Sequence, residues 1–259
     1  MQTISIKLDR DIERLELHIL ADLHIGDPHC DIKHIRRRIE SIEYNKNAYV
    51  ILNGDLINNA TCQSVSDTYS EQMSPMDQLN MVVDLLSPIK DRILCAVSGN
   101  HENRTYKSDG VDLTRLIMRE FGLEDRYSME SMVIFLRFGE QTRNKSKNRQ
   151  QLYSIYTTHG AGGGKKAGGK INSLMDLAGI VDVDIYIHSH THLPITSKQN
   201  YFRTSAANNS VQEVTKLFVN TEASLNYGGY GEMHGFNPAC TDPPVIYLRG
   251  DKRKMTAEL

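Results

Sequence analysis

Strand-like apolar runs in this chain keep ending on side chains that can hold a metal ion, and that recurrence limits the folds open to it. LELHIL at 15–20 leads into Asp22-Leu23-His24, AYVILN at 48–53 into Gly54-Asp55, and ILCAVS at 93–98 into Gly99-Asn100-His101. Further on, LYSIYTT at 152–158 is followed by His159, and VDIYI at 183–187 by His188, His190 and His192. Short runs that are apolar throughout are the pattern of strands buried on both faces of a sheet. In α/β sheets, ligands bind just past the carboxyl ends of the strands. A fold that aligns these five ends gathers their polar side chains at one site.

The segments between the runs supply the helices. Ile32, Ile35, Ile39 and Ile42 lie at helical spacing within 31–44, Met76 to Leu86 is helical and stops near Pro88, and Asp112 to Phe121 has Asp112 as cap and Gly122 as stop. The first half thus reads β-α-β-α-β, which favours a parallel sheet. The second half is mostly strands: 132–138 and 152–158 paired around a basic turn, then 183–188, 195–220 and 244–248, with a short helix at Asn172 to Ala178. The expected fold is α/β, a sandwich of two sheets flanked by helices. The stretches RNKSKN at 143–148 and GAGGGKKAGGK at 160–170 read as loops.

At 259 residues and 39% hydrophobic content, the chain is sized for a single domain spanning 1–259. Thirty basic residues balance 32 acidic ones, so any preference for a polyanion must come from a local patch. Four cysteines without a C-x-x-C pair read as thiols of a reducing compartment. There is no signal-like start and no run approaching the roughly 18 apolar residues of a membrane span. The expectation is a soluble, cytoplasmic protein.

The strand-end residues define a chemistry. Residues at i and i+2 of an extended chain point the same way, so Asp22 with His24, and His190 with His192, can each share an ion. Asp55 can bridge two ions, and Asn100 offers a neutral carbonyl oxygen. Nitrogen and oxygen donors without thiolate favour manganese, iron or zinc over magnesium or calcium. Two such ions about 3.5–4 Å apart clamp a phosphoryl group and generate hydroxide at neutral pH.

As an ordered set, Asp22-Leu23-His24, Gly54-Asp55, Gly99-Asn100-His101-Glu102, His159-Gly160 and Ser189-His190-Thr191-His192 resemble the calcineurin-like metallophosphoesterase superfamily. Its pattern is D-x-H, G-D, G-N-H-(D/E), H and G-H-x-H. The resemblance implies a four-layer α/β/β/α sandwich of two mixed sheets flanked by helices, with a dinuclear site at the strand ends. It implies one metal on Asp22, His24 and His192, a second on Asn100, His159 and His190, and Asp55 between them, so that His190 and His192 divide between the ions. It further implies that His101 sits beside the scissile phosphate and that a metal-bridging hydroxide attacks in line. Ser189 departs from the pattern, where glycine is usual. A minor backbone adjustment is expected there, with room for a different approach of substrate.

The remaining candidates are weighed against plainer roles. His188 is expected to support the site as a strand-end residue, and His18 to be structural. His29 can rim the pocket, Glu102 can orient His101 or face solvent, and His234 lies in a glycine-rich stretch with no assigned place. Lys165, Lys166 and Lys170 are candidate contacts to a polyphosphate or nucleic-acid backbone. The turn carrying Arg143, Lys145, Lys147 and Arg149 is expected to be a solvated hairpin tip. It supports a nucleic-acid substrate only if it shares the face of the site. Few aromatics lie in these loops, so no stacking platform is evident.

The leading expectation is a two-metal phosphoester hydrolase, with manganese as first choice, acting as a phosphodiesterase or nuclease similar to the repair-exonuclease branch. The alternatives are a phosphomonoesterase or protein phosphatase, and a non-catalytic scaffold. Protein phosphatases of the superfamily carry G-D-x-V-D-R-G, whereas 54–60 here lacks the arginine. A scaffold should lack ligands, and none is missing.

Overall fold

The structure is a computed structural model that describes residues 1–62, 64, 68–140 and 149–259. Its strands are β1 (Gln2–Lys7), β2 (Arg14–Leu20), β3 (Ala48–Asn53), β4 (Ile93–Val97), β5 (Tyr127–Ser128), β6 (Ser131–Phe138), β7 (Gln151–Thr158), β8 (Ile185–His188), β9 (Ile195–Ser205), β10 (Ser210–Asn220), β11 (Val245–Arg249) and β12 (Met255–Glu258). The helices are α1 (Ile32–Tyr44), α2 (Pro75–Leu86), α3 (Glu102–Asp109), α4 (Leu113–Glu120), α5 (Ala167–Asp176) and α6 (Gly229–Met233).

The strands form two mixed six-stranded sheets, ordered β1-β6-β7-β8-β10-β9 and β12-β11-β2-β3-β4-β5. In the second sheet β2, β3 and β4 run parallel, and in the first β7, β8 and β10 do. Each parallel set therefore delivers its carboxyl ends to one edge. The sheets pack face to face through Leu15, Leu17, Ile19, Ile51 and Val97 on one side and Ile134, Leu136, Tyr153, Ile155, Ile187 and Val219 on the other. The alternate residues Leu20, Val50, Leu52 and Ala96 face outward, under Ile35, Ile39 and Ile42 of α1, Val82 of α2 and Ile117 of α4. On the far face, Val133, Tyr156, Tyr186 and Phe218 lie under Leu174 of α5 and Leu177 just beyond it. The layers are helix, sheet, sheet, helix, as the sequence pattern implies. Each fully buried Ile or Leu adds about 1.5–3 kcal/mol over exposure.

Capping explains the helix starts. Asp31, Ser74 and Asp112 each accept a hydrogen bond from the backbone N–H three residues on. Two sequence expectations change. The glycine-rich stretch at 160–170 is not a loop throughout, because α5 begins at Ala167 and ends at Asp176, ahead of the expected 172–178. The strands around the basic turn pair antiparallel from Ser131↔Thr158 to Phe138↔Gln151. The turn joins the far end of β7, roughly 25 Å along the strand from Thr158 at about 3.3 Å per residue. Its described residue Arg149 therefore does not share the face of the strand-end residues; Arg143, Lys145 and Lys147 lie outside the described residues. Among the described residues no helix is long and apolar enough to cross a membrane.

Candidate metal centre

Three of the motif loops leave their strands through backbone turns that the residue type does not favour. Asp22, His24, Asp55, His190 and His192 all have left-handed φ, between 48° and 65°. Such values are uncommon outside glycine, and where the surrounding structure enforces them they cluster at functional sites. They also revise the spacing argument. Asp22 and His24 are not neighbours on one side of an extended strand; they converge because the chain turns at both residues.

Three groups of side chains have the spacing to hold a cation, with ligand atoms within 4.8 Å of one another. They are Asp22, His24 and His192; His24, Asp55 and His101; and Asp55, His159 and His190. Asp55 and His24 each belong to two groups, so the three are contiguous. His190 and His192 fall in different groups, as the resemblance implies and the same-ion reading does not. Asn100 joins the Asp55–His159–His190 group through its Oδ1, 3.1 Å from His159 Nε2.

Both carboxylates are used in the same way. Asp22 Oδ2 accepts the His190 backbone N–H at 3.0 Å, which leaves Oδ1 3.2 Å from His192 Nε2. Asp55 Oδ1 accepts the His101 backbone N–H at 2.9 Å, which leaves Oδ2 3.2 Å from His159 Nε2. One oxygen of each carboxylate locks a loop and the other faces imidazole. His24 Nε2 and His192 Nε2 face each other at 3.3 Å beside Asp22 Oδ1. His190 Nδ1 is buried with no hydrogen-bond partner. Two ring nitrogens turned together and a third left unpartnered fit a cation better than they fit one another.

The electrostatics agree. Burial works to raise both carboxyls, but His192 beside Asp22 and His159 beside Asp55 hold them below the usual carboxylate value. Burial keeps His24 neutral, pushes His190 down to about 4 and lowers His101. Ionised carboxylates among neutral imidazoles are what a divalent cation requires. His159 is the exception. Burial opposes its charge, yet Asp55 outweighs it and lifts the imidazole to about 10, so a cation bound there must displace a proton.

Supporting residues that the sequence did not single out hold this arrangement. Asn53, at the end of β3, donates to Ser189 Oγ at 2.6 Å and Thr158 O at 2.9 Å, and accepts from Thr157 Oγ1 at 2.6 Å. Its carbonyl takes His159 Nδ1–H at 2.7 Å and so turns Nε2 toward Asp55. One side chain thus pins the strand ends of both sheets together. It also corrects the expectation for Ser189, whose hydroxyl is buried against Asn53 and opens no room for substrate. A polar Asn closing an otherwise apolar run was the available signal.

Glu102 is buried, not solvent-facing. Its Oε1 accepts from Leu56 N and Ile57 N at 2.6 and 3.2 Å, and its Oε2 from Asp55 N and Gly99 N at 3.0 and 2.9 Å. Burial and the Asp55 charge push the carboxyl up to about 7. Both oxygens already meet two N–H donors, however, and nothing remains to accept a carboxyl proton. We therefore read Glu102 as a carboxylate that staples the Asp55 loop to the Asn100 loop. His188 also plays the expected supporting part: its Nδ1 meets Asn220 Oδ1 at 2.7 Å, and Asn220 holds Thr191 Oγ1 and Leu193 O.

His101 Nδ1 lies 2.6 Å from Asn58 O, which can only accept, so Nδ1 carries the proton. Nε2 then receives Arg104 Nη2 at 3.0 Å. His29 packs against Gly228 and Gly229, and His234 stacks on Tyr230; neither belongs to a cation group among the described residues. Lys170 Nζ donates to Thr191 O at 2.7 Å, between His190 and His192, while Lys165 and Lys166 are exposed.

A family model described as calcineurin-like phosphoesterase matches residues 23–194. No curated protein matches the sequence. Among solved structures, a single-substitution variant of Vps29 from Entamoeba histolytica aligns at 15% identity and a TM-score of 0.44, covering 94% of this chain and 90% of that one. A metallophosphoesterase from Sphaerobacter thermophilus aligns at 10% identity and a TM-score of 0.39, covering 93% and 90%. The nuclease MPE of Pseudomonas putida aligns at 11% identity and a TM-score of 0.36, covering 93% and 87%.

Proposed function

This chain belongs to the calcineurin-like phosphoesterase family, and from that membership we propose that it hydrolyses phosphodiesters at the joined His–Asp clusters. The observation that carries the reading is that the three cation groups are joined: His24 links the Asp22–His192 group to Asp55, and Asp55 links on to His159 and His190, which favours two cation positions side by side. In this reading Asp22, His24 and His192 hold one ion, Asn100, His159 and His190 hold the other, and Asp55 is shared. Manganese suits this thiolate-free donor set, with iron and zinc as alternatives.

When bound, the ions supply Lewis acidity to the phosphoryl oxygens and make water nucleophilic near neutral pH. The protein's own groups do the rest. Glu102 and Asn53 fix the loops before substrate arrives, so the ligands need no reorganisation. The tautomer fixed by Asn58 leaves Nε2 as the His101 atom that meets the substrate, and Arg104 beside it adds a cation where a leaving oxygen gains charge. The four cysteines stand as free thiols, which supports a reducing, cytoplasmic setting.

Initial rates with Mn²⁺ on bis(p-nitrophenyl) phosphate and on p-nitrophenyl phosphate test the reading. Faster diester turnover is expected. Faster monoester turnover would sink the diesterase assignment.

A further inference from the structure

The stretch 226–236 was left without a place by the sequence, and the structure sets it beside the Asp22 and His190–His192 loops. At one end, Ser224 N donates to Asp22 O at 3.0 Å and Asn226 N to His29 O at 2.9 Å, so the stretch starts against the Asp22 loop. At the other end, the Phe236 ring lies beneath Lys165 Nζ at 5.7 Å and Lys170 Nζ at 6.0 Å. Lys170 also grips Thr191 O, between His190 and His192. The stretch therefore links the two halves of the site along its rim.

What it presents there is chemically specific. Tyr227 and Tyr230 are half exposed, at 51% and 50%. Tyr227 is held by its hydroxyl to Phe236 O at 3.1 Å, and the Tyr230 and Phe236 rings lie 6.1 Å apart. Lys165 stands beside Phe236, and Glu232 is the one carboxylate within 226–236. Aromatic faces stack with any base, and ammonium groups beside them take the backbone phosphates. A chain with near-neutral overall charge needs such a local patch to bind a polyanion.

We propose that 226–236 and the start of α5 form a platform for single-stranded nucleic acid, with bases stacking on Tyr227 and Tyr230 and a neighbouring phosphate on Lys165. This rests on the diesterase reading for the phosphate at the cation groups, and it supplies, from outside the basic loops, the stacking platform that was not evident within them. The aromatics come from a part of the chain remote from the lysines.

Fluorescence anisotropy of a labelled oligothymidylate, with chelator present so that nothing is cleaved, tests the platform. Tyr230→Ala should weaken binding by about tenfold, the scale of one stacked base, while Tyr230→Phe should retain it. Lys165→Ala should weaken binding and lower the salt slope by about one. A wild-type protein that does not bind the oligonucleotide, or variants that bind it as wild type does, would overturn the proposal. With Mn²⁺, the ratio of kcat/KM for the oligonucleotide to that for methyl p-nitrophenyl phosphate should fall in Tyr230→Ala. Unaltered oligonucleotide binding in the variants of an enzyme that still cleaves the base-free diester defeats the platform alone. Platform-dependent binding by a protein that cleaves no diester defeats the hydrolase reading alone.

Discussion

Replacing Glu102 with glutamine changes one oxygen into an amide and leaves the shape intact. Each carboxylate oxygen faces two backbone donors: Leu56 N and Ile57 N on one, Asp55 N and Gly99 N on the other. Whichever way the amide turns, its NH₂ meets two N–H groups. Two hydrogen bonds to a charged acceptor are lost, at roughly 1.5–3 kcal/mol each. Relief of the buried charge offsets part of this, leaving a net loss of about 3 kcal/mol. For a chain of this size that lowers the melting temperature of the metal-free protein by about 5–10 °C, read by circular dichroism. The loosened Asp55 and Asn100 loops should also weaken Mn²⁺ binding by about tenfold, read by calorimetry. If Glu102 were a neutral acid in the folded protein, glutamine would mimic it and both values would match wild type. That result would refute the staple.

Other substitutions probe separate parts of the account. Asn53→Ala removes the bonds to Ser189, Thr158 and Thr157 and should cost about 2–3 kcal/mol in denaturant unfolding. Asp55→Asn should lower diester kcat by more than about a hundredfold, beyond the usual effect of a residue that only supports a ligand. Burial, with Arg38 nearby, pushes His18 down to about 4 from 6.5. The unfolded chain therefore binds more protons between those values, and stability is held above pH 6.5 and lost as pH falls toward 4. That loss is at most about 3 kcal/mol, and His18→Val should remove it from the pH dependence of unfolding of the metal-free protein.

The layers were legible because β3 and β4 are short apolar runs, and α1, α2 and α4 carry apolar residues at 3.6-residue spacing. β1 was missed because only two apolar residues, Ile4 and Ile6, carry its alternation in a six-residue edge strand. α3 was missed because it opens inside a motif at Glu102 and carries no apolar stripe. The early start of α5 runs against the low helix propensity of Gly168 and Gly169; Leu174 packing on the sheet decides it. The candidate site residues were legible as residue types after strands, and so was their meeting at aligned strand ends. The left-handed turns at non-glycine residues that complete the approach were not. Asn53, which fixes several of them, announces itself only through hydrogen bonds made across distant segments; Glu102 stood in a motif, but its bonds to the Asp55 loop did not follow from that.

The central claim is a pair of cation positions sharing Asp55. Isothermal titration of the metal-free protein with Mn²⁺, checked by elemental analysis after dialysis, addresses it directly. Two ions per chain are expected for the wild type and fewer for Asp55→Asn, with proton release on binding from His159. One ion or none in the wild type, or two ions held unchanged without the Asp55 carboxylate, would contradict it.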